Sequence, residues 1–255
     1  MKIKLLIEAK RAAKHVLRRA GVHLQALPRD HVSGLSLEFD LPKLITTSSP
    51  VIFDVGANVG QSIDLFRSIF PSAKLFSFEP GEDAFTALRE KCENEAEVQL
   101  FPFALGSKEE HRSFHLYGSL LNSILPMDAN PANRFASYRR KNIASIRVMT
   151  LESIWRELGS PRIHLLKIDT QGFDLEVLHG SAAVFDAEAI DNVLIEMNFV
   201  PMYIGQPTPE AIMRFLAERE LRLVGLYEVV RQEDCIAWTT GMFSKAPWRS
   251  FPKRL

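Results

Sequence analysis

Residues 51–61 read Val51-Ile52-Phe53-Asp54-Val55-Gly56-Ala57-Asn58-Val59-Gly60-Gln61, an apolar run that breaks into alternating glycines. A short β-branched and aromatic run bounded by turn residues reads as a buried strand. Apolar spacing then turns helical over 61–70, and Pro71 ends that pattern. Strand, glycine turn and helix in that order open a βαβ unit. Downstream, 74–78 reads as a second strand, 83–92 as a helix and 98–103 as a third strand. Residues 113–117 alternate like an added edge or hairpin strand. Thr150 is placed to cap a helix over 151–158, and 163–168 is a buried strand ending in Asp169. Gly172 turns the chain into a helix over 173–179 that stops at Gly180. A strand at 193–197 and a helix at 209–219 follow. Segments 221–230 and 235–240, joined by the polar turn 231–234, form an antiparallel hairpin. The expected class is α/β, a mostly parallel sheet with a C-terminal antiparallel hairpin.

The chain has 255 residues, 46% hydrophobic and 24% charged, the balance of one globular domain with a sizeable core. Lys plus Arg and Asp plus Glu are equal at 31 each, so no net field recruits nucleic acid, and no nucleic-acid partner is expected. Cys92 and Cys235 form no CxxC pair, which argues against structural zinc and disulfides and for a reducing cytoplasm. No apolar run approaches the roughly 20 residues of a membrane span. Residues 1–20 set Lys2, Lys4, Lys10, Arg11, Lys14, Arg18 and Arg19 among apolar positions at helical spacing. Such a basic amphipathic helix docks peripherally on an anionic membrane face, or packs on its own domain. The expected division is a basic extension over 1–49, a domain over 50–245 and a tail over 246–255. The long polar segment 118–145 within that domain is a candidate lid or substrate insert.

Glycines at the carboxyl end of a first strand let backbone approach a ligand there. A dinucleotide site would show GxGxxG with a diphosphate on the helix N-terminus, whereas this turn is GxxxG preceded by an acid. An acid suits a cation better. S-adenosylmethionine carries an α-amino group and a sulfonium, which Asp54 would favour. Glu79 ends the second strand, where a carboxylate accepts hydrogen bonds from a ribose diol. Gly56, Asn58, Gly60, Gln61, Glu79 and Pro80 therefore form the expected cofactor site. A nicotinamide-dependent oxidoreductase would need the diphosphate loop that is missing.

These residues, with Ser77-Phe78-Glu79-Pro80, the run LLKIDTQGFDLEVLHG at 165–180 and LIEMN at 194–198, resemble the FkbM-type class I methyltransferases over 51–241. The family signature is placed at Lys167, Asp169, Gly172 and Glu176. The resemblance implies a Rossmann-like methyltransferase sheet of seven strands with cofactor across its carboxyl edge. It also implies methyl transfer to a hydroxyl of a sugar, glycolipid, polyketide or related small molecule or glycoconjugate. Phe103, Ala104 and Leu105 fall where such enzymes flank adenine. An N-methyl acceptor, or a non-catalytic module that binds S-adenosylmethionine, are the alternatives.

Transfer to an alcohol calls for a base near the methyl group. Lys167 and Asp169 share one face of a strand, and Asp169 stands at the carboxyl edge. Asp169 is thus the expected base or hydroxyl anchor; alternatively it pairs with Lys167 or orients the turn after it. Glu176 is expected to hold that turn or to reach the site. Glu196 and Asn198 alternate toward the same edge, as acceptor contacts or a carboxylate cluster. Without DxD-like spacing no metal is expected. Ser119, Asn122 and Ser123 in the insert are candidate acceptor contacts, Trp155 and Phe173 are core candidates, and the histidines read as surface or capping groups.

Overall fold

The computed structural model describes residues 32–130 and 133–245, so the basic stretch 1–20 and the tail 246–255 lie outside the described residues. In chain order the elements are α1 (Leu37–Leu44), β1 (Val51–Val55), α2 (Gln61–Ile69), β2 (Lys74–Phe78), α3 (Glu82–Lys91), β3 (Val98–Phe101), β4 (Ala104–Leu105) and β5 (Glu110–Leu116). They continue as β6 (Asn142–Met149), α4 (Leu151–Glu157), β7 (Leu165–Ile168), α5 (Asp174–His179), α6 (Ala182–Asp186), β8 (Asn192–Asn198), α7 (Pro209–Ala217), β9 (Arg222–Gln232) and β10 (Cys235–Ser244). Seven strands form one sheet in the order β3-β2-β1-β7-β8-β10-β9. Its first five strands are parallel, and only β10 runs antiparallel, to β8 on one side and to β9 on the other. This is the α/β, Rossmann-like sheet of seven strands that the sequence leads one to expect.

Strand order reverses between β1 and β7, because β1 leads outward through β2 to β3 while β7 leads the other way. Ligands in open parallel sheets bind in the crevice that such a reversal opens at the strands' carboxyl ends. Two-residue periodicity splits the core across the sheet. Phe53, Val55 and Ile168 pack with α4 to α7, whereas Ile52, Leu75, Leu165 and Leu194 pack with α1, α2 and α3.

Three expectations need correction. The third strand stops at Phe101, because Pro102 has no N–H for the ladder. Ala104–Leu105 pairs instead with β6 in a separate three-stranded sheet, β4-β6-β5. The segment expected as an added edge or hairpin strand, 113–117, begins earlier, spans Glu110–Leu116 and forms the edge of that small sheet, antiparallel to β6. The last residues of the long polar segment begin β6, whose sequence signal is the alternation Ala144, Ile146, Val148.

Helix α1 lies within the stretch expected as an extension, yet Leu37, Leu41 and Ile45 are buried in the core. Buried Asp40 pins it: its carboxylate accepts from Ser33 N (2.7 Å), Ser33 Oγ (2.8 Å), Gly34 N (2.8 Å) and Tyr227 Oη of β9 (2.8 Å). Burial alone would raise the Asp40 pKa, but the hydrogen bonds from Ser33, Tyr227 and Gly34 outweigh it and hold the carboxyl below its ordinary value. Thr150 caps α4 through Ser153 N at 3.1 Å, as the sequence indicates. Among the described residues no helix is long and apolar enough to cross a membrane.

A depressed folded pKa stabilises above the unfolded value and is lost as pH falls through the folded one. Asp40→Asn is therefore expected to cost about 2 kcal/mol at pH 7. In urea unfolding the variant and wild type should converge below about pH 4.

Candidate active site

Asp54 of β1 and Lys167 of β7 are cross-strand partners in the sheet register. Asp54 is fully buried; its Oδ1 lies 3.0 Å from Lys167 Nζ and its Oδ2 accepts from Ser62 Oγ at 2.7 Å. Lys167 Nζ also donates to the Gly56 carbonyl at 2.8 Å. Desolvation works against the ammonium, but Asp54, Asp169 and Glu196 outweigh it and raise the Lys167 pKa. The Asp54 charge is thus neutralised inside the protein. It shapes the glycine turn through Lys167 and lines none of the cavities described below.

The glycines serve close chain approach as much as a ligand. A Cβ on Gly56, at φ +79°, would stand 1.9 Å from the Asp169 carbonyl oxygen, so the β1 turn and the end of β7 touch backbone to backbone. Gly60 packs against Leu88 and Lys91 of α3 and lines none of the three cavities described below. Asn58, in the left-handed region at φ 48°, directs its N–H to Glu79 Oε2 at 2.9 Å. Glu79 Oε1 accepts from Gly81 N at 2.7 Å. Burial lifts the Glu79 pKa, opposed by those two N–H groups and by the charge of Lys167. Each carboxylate oxygen keeps a second lone pair for a ligand hydroxyl.

A cavity opens over the turn. Glu79, Pro80, Asn58 and Gly56 form one side, and Phe78, Ala104, Leu105, Phe114, Ile124 and Phe173 supply apolar walls. Phe173, expected as core, is buried and also walls this cavity. Phe103 points elsewhere, into the ring cluster with Phe78 and Phe101, under the Arg147 guanidinium. A second, more polar cavity lies beyond Asn58, lined by Gln61, Lys167, Glu196 and Thr240. A third groove is lined by Tyr117, Phe135, Tyr138, Gln171, Glu196 and Trp238. Asp169 and Leu120 line all three, so Asp169 stands where they meet.

The turn after β7 holds Asp169 in place. Gln171, at φ 54°, donates through Nε2 to Asp169 Oδ1 at 2.9 Å and to Glu196 Oε1 at 3.4 Å. Its Oε1 accepts from the hydroxyl of buried Tyr203 at 2.9 Å, and its carbonyl accepts from Ser123 Oγ at 2.7 Å. Asp174 ties the turn: it accepts from Thr170 N (2.9 Å), Thr170 Oγ1 (3.0 Å) and Gly172 N (3.1 Å). The turn-holding role expected of Glu176 falls to Asp174. Glu176 faces outward instead, bonded to Ser107 Oγ and near His179. Burial raises the Asp174 pKa to about 6, helped by the charge of Asp169. Burial, then Asp169 and Asp174, push Glu196 well above the ordinary carboxyl range.

The insert is pinned over this edge. Asn122 Oδ1 accepts from Tyr117 N and Gly118 N while the residue lines the first cavity. Ser119 lies in a short 3₁₀ turn at 119–121. Ser123 is buried, with its hydroxyl engaged by Gln171 and Leu125 N, so it serves the turn and lines none of the three cavities. Asn198 is buried beside Glu196, its Oδ1 without a partner. Gln171, Asp174 and Tyr203 join the site without being among its expected residues. Asp174 had a legible signal, an acid opening a helix directly after a glycine turn. Tyr203 had none, since only the tertiary fold brings it to Gln171. His164 lies at the opposite end of β7, where Nδ1 accepts from Val51 N at 3.0 Å.

A family model described as the methyltransferase FkbM domain matches residues 54–223. The hexuronic acid methyltransferase AglP of Haloferax volcanii is 24% identical over 187 residues, covering 73% of this chain and 69% of that protein. Methyltransferase sdnD of Sordaria araneosa is 28% identical over 173 residues, 58% of this chain and 66% of its own length. The solved FkbM methyltransferase from Methylobacillus flagellatus shares the fold, with a TM-score of 0.50 at 15% identity. That match covers 77% of this chain and 44% of the other, so the chain spans less than half of that structure.

Between pH about 4 and 6 the folded protein keeps a proton on Asp174 that the unfolded chain has released. Stability therefore falls as pH rises through that window, by up to about 3 kcal/mol. Urea titrations at several pH values should show this slope in wild type and a shallower one in Asp174→Asn, where the raised carboxyls of Glu196 and Glu79 remain.

Proposed function

The chain belongs to the FkbM methyltransferase family, and from that premise we propose that it transfers methyl from S-adenosylmethionine to a hydroxyl of a sugar-like small molecule or glycoconjugate. The observation that carries this reading is the position of Asp169, at the meeting point of the cavity over Glu79 and the aromatic groove. The residues fit the cofactor. The apolar walls of the first cavity suit an adenine, and Glu79 has free lone pairs for a ribose diol. Asn58, with a buried and unpartnered Oδ1, lies on the path toward Lys167 and Asp169. S-adenosylmethionine, when bound, supplies a sulfonium methyl for in-line displacement.

The chain's own groups then handle the acceptor. Gln171 clamps Asp169 Oδ1 from one side, which aims the other carboxylate oxygen at an acceptor O–H. Asp169 takes that proton as the acceptor oxygen bonds to the methyl and the carbon–sulfur bond breaks. The raised pKa of Glu196 keeps its proton on at a pH where a free carboxyl would ionise. A second negative charge beside Asp169 is thereby avoided. Lys167 offsets the remaining charge from below. We assign 50–245 as the catalytic unit, with 118–145 covering the acceptor side. The name of the Haloferax relative, a hexuronic acid methyltransferase, supports a sugar-type acceptor. An amine acceptor is the second reading, because an acidic floor also attracts a cation.

Two measurements test this. In a thermal-shift series, S-adenosylmethionine or S-adenosylhomocysteine at 100 times its Kd should add about 2.7 kcal/mol, and NAD nothing. Stabilisation by NAD alone would sink the assignment. Asp169→Asn should lose about 10²–10⁴-fold in kcat with S-adenosylhomocysteine affinity unchanged. Full turnover in that variant removes Asp169 as base.

A further inference from the structure

The groove beyond Asp169 is built from rings and rimmed by cations. Phe135 stands 5.8 Å from Tyr138 and 5.9 Å from Trp238 between ring centroids. Tyr138 and Leu120, at 53% and 63% exposure, leave an apolar wall open to solvent. The Arg134 guanidinium lies over this group, 5.3 Å from the Phe135 ring and 5.8 Å from that of Trp238. Beside Tyr117 of the same groove the His115 ring stacks at 6.5 Å, and Arg140 approaches His115 Nδ1 at 3.3 Å. Burial and that guanidinium both depress the His115 pKa. Arg139 and Lys141 add exposed charge next to Arg140. Among the described residues none of these four cations has a carboxylate partner. The acids that line the groove, Asp169 and Glu196, are more buried than Tyr138 and Leu120 and mark its inner end.

A groove with an acidic floor and a basic rim is polar along its depth. It repels an anion at the bottom and attracts one at the mouth. A hydroxylated ring has an apolar C–H face that packs on aromatic side chains, and its hydroxyls project from the edge. We propose that the acceptor is a hexose-like ring carrying a phosphate or carboxylate group, seated on Trp238 and Phe135. Its anionic group meets Arg134 and Arg140, and a hydroxyl points down to Asp169. The rim cations thereby set which end of the acceptor enters. This inference rests on the methyltransferase reading of the same cavities.

Calorimetric titration of the full chain, saturated with S-adenosylhomocysteine, uses glucose, glucuronate and glucose 6-phosphate as matched probes. At least one anionic sugar should bind 10-fold or more tightly than glucose, and the stronger of the two identifies the anionic group. Arg134→Gln and Arg140→Gln should each erode that preference several-fold while the S-adenosylhomocysteine affinity stays as in wild type. Arg156→Gln, an exposed arginine paired with Glu152 on α4, should change nothing. Equal binding of the three sugars, binding of none, or a preference that survives both rim substitutions overturns the inference. Failure of S-adenosylhomocysteine to bind at the outset instead overturns the methyltransferase reading beneath it.

Discussion

A lysine and an aspartate buried side by side between β1 and β7 hold the rest of the site in place. Removing two charges from water costs several kcal/mol for each ion, so the pair survives only with close geometry and further hydrogen bonds. Lys167 meets that condition by bonding the Gly56 carbonyl, and Asp54 by bonding Ser62 at the start of α2. The same contacts bring the β1 turn against the end of β7. That closeness leaves no room for a Cβ at position 56 and presents Asn58 to Glu79. The cavity over Glu79 is therefore a consequence of how the pair is satisfied.

Acidity at the carboxyl edge follows from the same constraint. Lys167, Asp169, Glu196 and Asn198 project from one face of neighbouring strands, because two-residue periodicity and the parallel register place them there. One lysine cannot neutralise Asp54, Asp169 and Glu196 together. Burial first, and then the excess negative charge, raises the carboxyl pKa values at Glu196 and Asp174. Gln171 divides the roles: it clamps Asp169, reaches toward Glu196 and is itself anchored by Tyr203. A turn that links two carboxyls to a buried tyrosine gives the edge a defined geometry in place of a diffuse acidic patch.

The small sheet and the insert supply what the Rossmann-like core lacks. Phe114, Ile124 and Phe173 wall one side of the first cavity, and residues 117–130 and 133–141 bring Tyr117, Phe135 and Tyr138 into one groove with Trp238. Pro102 is the local cause of this division, since a ladder that cannot continue past Phe101 sends the chain into a second sheet.

Sequence alone determined the strands of the main sheet with the helices between most of them, the glycine turn after β1 and the acid at the end of β2. Each depends on nearest-neighbour patterning: apolar runs, glycine turns, caps and a proline stop. It also marked Lys167, Asp169, Glu196 and Asn198 as one row, because alternation along a strand is a local rule. Tertiary structure decided which of these charges are spent internally. Asp54 reads as a ligand for a cation until Lys167, 113 residues later, arrives beside it, and Glu176 reads as the turn's anchor until Asp174 fills that place. Gly60 and Phe103 likewise turn toward the core, and Ser123 toward Gln171. The physical reason is that a polar side chain's partner is chosen by proximity in three dimensions, and buried hydrogen bonds must be satisfied by whatever the fold brings near. Local pattern carries the backbone's path, and long-range packing assigns the chemistry.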